Sequence, residues 1–89
     1  MFYIYVLQSR EKGSLYVGYT ANLKRRMKEH LNGKCYTTSH MGEIELIHYE
    51  AYKAQSDAIR REDYLKTTQG KRMLKLMLKD TLSSPDVVK

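Results

Sequence analysis

FYIYVLQSREKGSLYVGYT, residues 2–20, holds two dense runs of β-forming residues, FYIYVL at 2–7 and SLYVGY at 14–19, on either side of Arg10 to Gly13. Tyrosine, isoleucine and valine suit a pleated, half-buried surface, and the charged residues and glycine between the runs supply turn chemistry. The stretch therefore predicts an antiparallel hairpin. With the loop centred between Arg10 and Glu11, Tyr5 falls opposite Tyr16. A two-residue change of register would keep both rings on one side of the sheet, whereas a one-residue slip would separate them. Phe2, Ile4 and Val6 point to the other side, with Val17 helping to cover it.

Beyond the hairpin, Asn22 is a good N-cap for a helix from Leu23 to about Asn32, closed by Gly33 as a left-handed C-cap. Leu23, Met27 and Leu31 recur at i, i+4 and i+8 as its core stripe, and Asn22, Arg26 and His30 form a neighbouring stripe, so Arg26 and His30 project together. Residues 33–42 read as a polar loop. A strand follows at about 43–52, then a helix from Asp57 to about Lys66 capped by Ser56, with Ala58, Glu62 and Leu65 on one face. TTQG at 67–70 interrupts the helical pattern before a last amphipathic helix at roughly 71–80, buried through Met73, Leu74, Met77 and Leu78. The expected fold is α/β (α+β), a small antiparallel or mixed three-stranded sheet flanked by helices in the order β-β-α-β-α-α. Residues 1–82 form one domain and 83–89 a flexible tail.

The totals agree with one small domain: 89 residues, 42% hydrophobic and 29% charged. A single cysteine, Cys35, gives neither an internal disulfide nor the four ligands of a structural zinc site, and points to a reducing compartment. His40 and His48 have no metal-ligand spacing with it. No apolar run spans a bilayer and no secretory leader is visible, so the expected location is cytoplasmic, away from membranes.

The net charge is +6, and its placement is informative. Residues 23–34 carry five basic groups and one acid, residues 58–80 seven basic and three acidic, while Glu43, Glu45, Glu50 and Asp57 face Lys53 alone between them. Basic helices of this kind suit a polyanion such as DNA or RNA, though lysines that merely solvate helix faces would look the same.

The pattern gathers Tyr5, Tyr16, Arg26 and His30, with Glu62 on a core-facing stripe where a carboxylate must be paired or hold a metal. A structural origin exists for four of them: β-propensity for the tyrosines, the helix-end carbonyls for His30, an ion pair with Lys66 or a nearby arginine for Glu62. Phosphodiester hydrolysis gives one reason for all five. An arginine fork suits phosphoryl oxygens, and a carboxylate can hold Mg2+ or Mn2+ with water completing the shell. A phenol, which ordinarily titrates near about 10, becomes a better base beside cations.

Tyr3-Ile4-Tyr5 and Tyr16-Val17-Gly18, with motif tyrosines eleven residues apart, are followed by Thr20, Asn22-Leu23 and Arg26 through His30, the arginine ten residues beyond the second tyrosine. Ala58 to Glu62 and Leu65-Lys66 come later. Together these resemble the GIY-YIG nuclease superfamily over nearly the whole chain, to about residue 80, and the small size is similar to stand-alone members that resemble the N-terminal domain of the excinuclease C subunit. The resemblance implies a metal-dependent endonuclease acting on DNA, branched or damaged duplex foremost, in repair or recombination. It implies Tyr16 as the preferred general base, Tyr5 as support for water or phosphate, Arg26 as transition-state stabiliser, His30 as a hydrogen-bonding or proton-transfer group, and Glu62 as ligand to one Mg2+ or Mn2+ ion. Gly18 would allow close backbone approach, and Asn22 belongs to the structural motif. Lys24, Arg25, Lys28, Lys34, Tyr36 and Lys66 are candidate nucleic-acid contacts. Tyr3 stands where the family's first motif has glycine, and no asparagine follows the glutamate near Thr67 to Gly70. The competing expectations are a nucleic-acid-binding module of the same fold without useful turnover, and a protein-interaction adaptor, which would show an exposed apolar patch rather than a polar cleft.

Overall fold

A computed structural model describes residues 1–32 and 41–83. Strand β1 (Phe2–Ser9) lies at the centre of a three-stranded antiparallel sheet, with β2 (Leu15–Thr20) on one side and β3 (Ile44–Tyr52) on the other. The helices are α1 (Leu23–Leu31), α2 (Gln55–Leu65), α3 (Thr68–Met77) and a short α4 (Lys79–Ser83). The expected order is therefore present, followed by one extra turn of helix. The expected C-cap Gly33, most of the polar loop, and the tail from residue 84 lie outside the described residues.

The hairpin closes one position later along the chain than expected. Ser9 donates its N–H to Ser14 O (2.9 Å), Gly13 donates to Ser9 O (2.8 Å), and Gly13 takes φ +74°, a left-handed conformation in which a side chain is strained. The loop is thus centred between Glu11 and Lys12, and Tyr5 pairs with Gly18 while Tyr16 pairs with Leu7. This is a two-residue change of register, so the tyrosines still share a side.

β1 is buried on both sides because each side has its own helical layer; Ile4, Tyr5, Val6 and Leu7 are all essentially inaccessible. On one side Ile4, Val6 and Val17 pack with Ala58 and Leu65 of α2, Leu74 of α3 and Leu78. Each fully buried aliphatic side chain there contributes about 1.5–3 kcal/mol. On the other side Tyr5, Leu7, Met41 and Ile44 form a second cluster, flanked by Tyr16 and by Leu23 and Met27 of α1. A bulge separates the partners of Val6 and Leu7, which are His48 and Leu46. Ile47 is the extra residue, and it turns toward the aliphatic layer.

Several helix expectations need correction. Leu31 is 68% exposed, so the core stripe of α1 ends at Met27, and the buried residue in its last turn is His30. α2 begins at Gln55 with Ala54 as an N-cap that makes no side-chain bond, so Ser56 is not the cap. The break expected at TTQG is present but shorter, at Lys66–Thr67: Thr67 caps α3, accepting from Gly70 N (3.0 Å) while donating to Tyr64 O (2.6 Å), and Thr68 to Gly70 are already helical. Gly70 is buried where α3 crosses the end of α2, and a Cβ there would collide with the Tyr64 carbonyl and the Leu65 backbone. Met73 and Met77 are exposed; Leu74 and Leu78 alone of the expected quartet carry the buried face.

A polar clamp joins β3 to α2. Glu50 accepts from Arg61 Nε (2.9 Å) and Nη2 (3.2 Å) and from Tyr52 Oη (2.6 Å), and its Oε2 lies 2.9 Å from His48 Nε2. Burial alone would raise the Glu50 carboxyl, but the bonds from Arg61, His48 and Tyr52 hold it down at about 2. Arg61 precedes Glu62, so the clamp fixes the rotation of α2 that presents Glu62.

Candidate active site

Tyr5 reaches from the central strand to meet two side chains of α1. Its Oη lies 3.0 Å from His30 Nε2 and accepts from Arg26 Nε (3.2 Å). The Tyr16 ring completes the group, with centroids 6.2 Å from Tyr5 and 5.6 Å from His30. The local sequence sets this up at the β2–α1 junction. Asn22 N–H donates to Thr20 Oγ1 (3.1 Å), Thr20 Oγ1 donates to Asn22 O (3.2 Å), and Asn22 Oδ1 accepts from Arg25 N (3.0 Å). The helix therefore starts at a fixed angle, and the i, i+4 spacing carries Arg26 and His30 onto Tyr5. Gly18, across from Tyr5 on β2, leaves the space that the phenol occupies.

His30 is 4% exposed. Burial, and next the Arg26 charge, push its pKa below the ordinary histidine value, with Glu29 pulling weakly the other way. A neutral ring follows at neutral pH. Arg26 donates to Tyr5 Oη, and the direction of the Tyr5 Oη–His30 Nε2 bond is set by the imidazole tautomer. Arg26 is itself held by Glu29, with Nη1 2.8 Å from Oε1, and this bond keeps the Glu29 carboxyl below the usual carboxylate range. Glu29, not among the expected candidates, joins the group through Arg26, and the i, i+3 spacing between them is its signal in the sequence.

Glu62 lies on α2, on the stripe with the buried Ala58 and Leu65, and its side chain is 18% exposed. Its Oε2 is 3.0 Å from Lys66 Nζ, the ion pair allowed for in the sequence. Tyr16 and Lys66 line one cleft of about 490 Å³ between β2 and the α2–α3 layer. Because β2 is an edge strand, Tyr16 can belong to the tyrosine–histidine cluster and also face this cleft. Among the described residues no group of three or more His, Cys, Asp or Glu side chains could hold a metal. A single carboxylate nevertheless suits Mg2+ or Mn2+, which keep several waters and take further oxygens from a substrate phosphate, and the partner now holding Glu62 is a half-exposed lysine able to swing away.

Lys24, Arg25 and Lys28 stand exposed on α1, while Lys34 and Tyr36 lie outside the described residues. The Glu50 clamp was not foreseen: His48, Glu50 and Tyr52 alternate in the strand as a solvent-facing set would, and only their encounter with Arg61 shows them as half-buried partners. Among the described residues no helix is long and apolar enough to cross a membrane.

Comparison with known proteins matches residues 1–75 to the family described as the GIY-YIG catalytic domain. Similar relatives include a UPF0213 protein of Clostridium perfringens, 35% identical over 78 residues that cover 86% of this chain and 83% of the relative. Another is a UPF0213 protein of Natronomonas pharaonis, 34% identical over 80 residues that cover 89% and 93%. The solution NMR structure of a UPF0213 protein from Bacillus halodurans superimposes with a TM-score of 0.54 at 32% identity, over 86% of this chain and 85% of that one.

Proposed function

Since the chain belongs to the GIY-YIG catalytic-domain family, a family of nucleases, we propose that it is a metal-dependent endonuclease that hydrolyses DNA phosphodiester bonds through Tyr5, Tyr16, Arg26, His30 and Glu62. The observation that carries this reading is the hydrogen-bonded set of Tyr5, His30 and Arg26, with Tyr16 against it at the mouth of a cleft. Arg26, held in place by Glu29, presents a fixed positive charge for the phosphoryl oxygens as negative charge grows on them. Tyr16, on the edge strand, acts as the phenolate that takes the proton from the attacking water and becomes the neutral phenol. Tyr5, buried beneath the site, acts through Arg26, whose guanidinium it holds by its hydroxyl. Neutral His30 is hydrogen-bonded to the Tyr5 hydroxyl and so keeps the Tyr5 oxygen turned toward Arg26. Glu62 is the residue to hold Mg2+ or Mn2+, and the ion when bound would supply Lewis-acid polarisation and leaving-group stabilisation. Lys24, Arg25, Lys28 and Lys66 add sequence-independent attraction for the DNA backbone.

The test is incubation of purified protein with branched, flapped and plain duplex DNA in Mg2+, Mn2+ or chelator. Cleavage products in metal, lost in chelator, in Arg26→Ala and in Glu62→Ala while unfolding stays cooperative, are the expected result. Glu62→Ala removes an ion pair to a half-exposed lysine, worth about 0–1 kcal/mol, so the fold survives it. Full activity in either variant would overturn the role of the side chain removed. A binding module without turnover is favoured by one observation, the commitment of Glu62 to Lys66, and would appear as salt-dependent binding with no product in any metal.

A further inference from the structure

A second groove, separate from the Tyr16 cleft, runs between α1 and the outer part of the sheet. Its volume is about 620 Å³, and among the described residues no carboxylate lines it. Tyr3 and Tyr49 form one wall, with ring centroids 6.3 Å apart and planes at 60°. Tyr49 is 53% exposed, so its ring is accessible from the groove. Lys24 and Lys28 stand on the opposite wall, and Leu23 and Met27 supply apolar surface between them. Tyr3 and Tyr5 are two residues apart on the same side of β1, their backbones roughly 7 Å apart, so the groove neighbours the phenol that Arg26 and His30 hold.

We infer that this groove binds an unpaired nucleobase, stacked on Tyr49 with the Tyr3 ring at an angle beside it and Lys24 and Lys28 on the flanking phosphates, so that the substrate is nucleic acid with a single-stranded segment beside the bond to be cut. The inference deepens the nuclease reading and rests on it for the identity of the linkage cleaved. Two lysines without a carboxylate select a polyanion over an apolar peptide, and the open tyrosine face selects a base out of its duplex, since a base within the duplex has both faces covered by its neighbours.

The test uses the full chain in chelator, where no cleavage occurs, and compares a single-stranded oligonucleotide carrying one 2-aminopurine with a blunt duplex. Wild type should quench the 2-aminopurine on binding. Tyr49→Ala should abolish the quench and weaken single-strand binding by about 5- to 150-fold, the loss expected for one base–aromatic stack, with duplex binding nearly unchanged. Tyr49→Phe should keep both properties. Single-strand affinity unchanged in Tyr49→Ala, or reduced equally for both probes, overturns the inference. The two readings fail separately: cleavage that depends on Arg26 without a Tyr49 effect leaves the nuclease standing, whereas Tyr49-dependent stacking without cleavage in any metal leaves the base groove.

Discussion

Replacing Gly18 by alanine tests whether the tyrosine–histidine–arginine group depends on an empty position in β2. Gly18 does not hold a positive φ, so its backbone would accept any residue and the cost is purely spatial. A Cβ there would lie inside 3.0 Å of three Tyr5 side-chain atoms, the hydroxyl oxygen among them. Tyr5 is 1% exposed and tied to both His30 and Arg26, so its ring cannot tilt without loosening those bonds. Overpacking costs about 1–3 kcal/mol, and a displaced hydroxyl loses about 1 kcal/mol per bond. The lower unfolded-state entropy of alanine returns about 0.5–1 kcal/mol. A net loss of about 2 kcal/mol results, which for a chain of this size lowers Tm by about 10 °C. Thermal unfolding followed by circular dichroism measures it. In a double-mutant cycle with Tyr5→Phe, which has already given up the hydroxyl bonds, the alanine should cost less than it does in wild type. A Tm within about 3 °C of wild type, with no coupling to Tyr5, would refute the close approach of the two strands at this point.

His30 has a folded pKa below its ordinary 6.5, so its contribution is complete above that value and is lost as pH falls through it and through the lowered folded value. Wild type should lose more stability than His30→Gln between pH 7 and pH 5, read by urea unfolding; equal losses would remove His30 as the cause. Glu50 moves from 4.5 to about 2 on folding, which corresponds to roughly 3 kcal/mol present above 4.5 and lost as pH drops toward 2. Glu50→Gln should flatten that acid limb, and a limb of unchanged depth would show that other carboxylates produce it. Gly70→Ala should destabilise more than Gly18→Ala, because its Cβ meets helix backbone that cannot rotate aside, whereas the Tyr5 ring can yield at the expense of its bonds; chemical denaturation of the two variants side by side ranks them.

Period-two alternation made the sides of β1 and β2 readable from the chain, and Tyr5 and Tyr16 share a side even though their pairing differs by two residues from expectation. The offset arose in the loop, where Gly13 and the Ser9–Ser14 bond set the centre and composition did not. On α1, hydropathy chose Leu23, Met27 and Leu31, yet the last turn buries His30 and exposes Leu31, because a histidine with a phenol partner can be buried at little cost. Spacing alone found Arg26 and His30. The Glu50 clamp was illegible for the opposite reason: a strand of alternating polar residues looks solvent-facing until a helix residue distant in sequence, Arg61, arrives to meet it.

The bulge at Ile47 reverses the phase of β3, so that even-numbered Ile44 seals the tyrosine side while even-numbered Glu50 grips α2 on the other. The extra residue sits where the phase of the strand changes. Shortening the chain by one at 47–48 would merely regularise the ladder, at the cost of one apolar contact. The same deletion at Glu45 or Tyr49, with the bulge kept, would rotate one half and strand either Ile44 in water or Glu50 away from Arg61. Length variation among homologous strands should therefore be tolerated at this single joint.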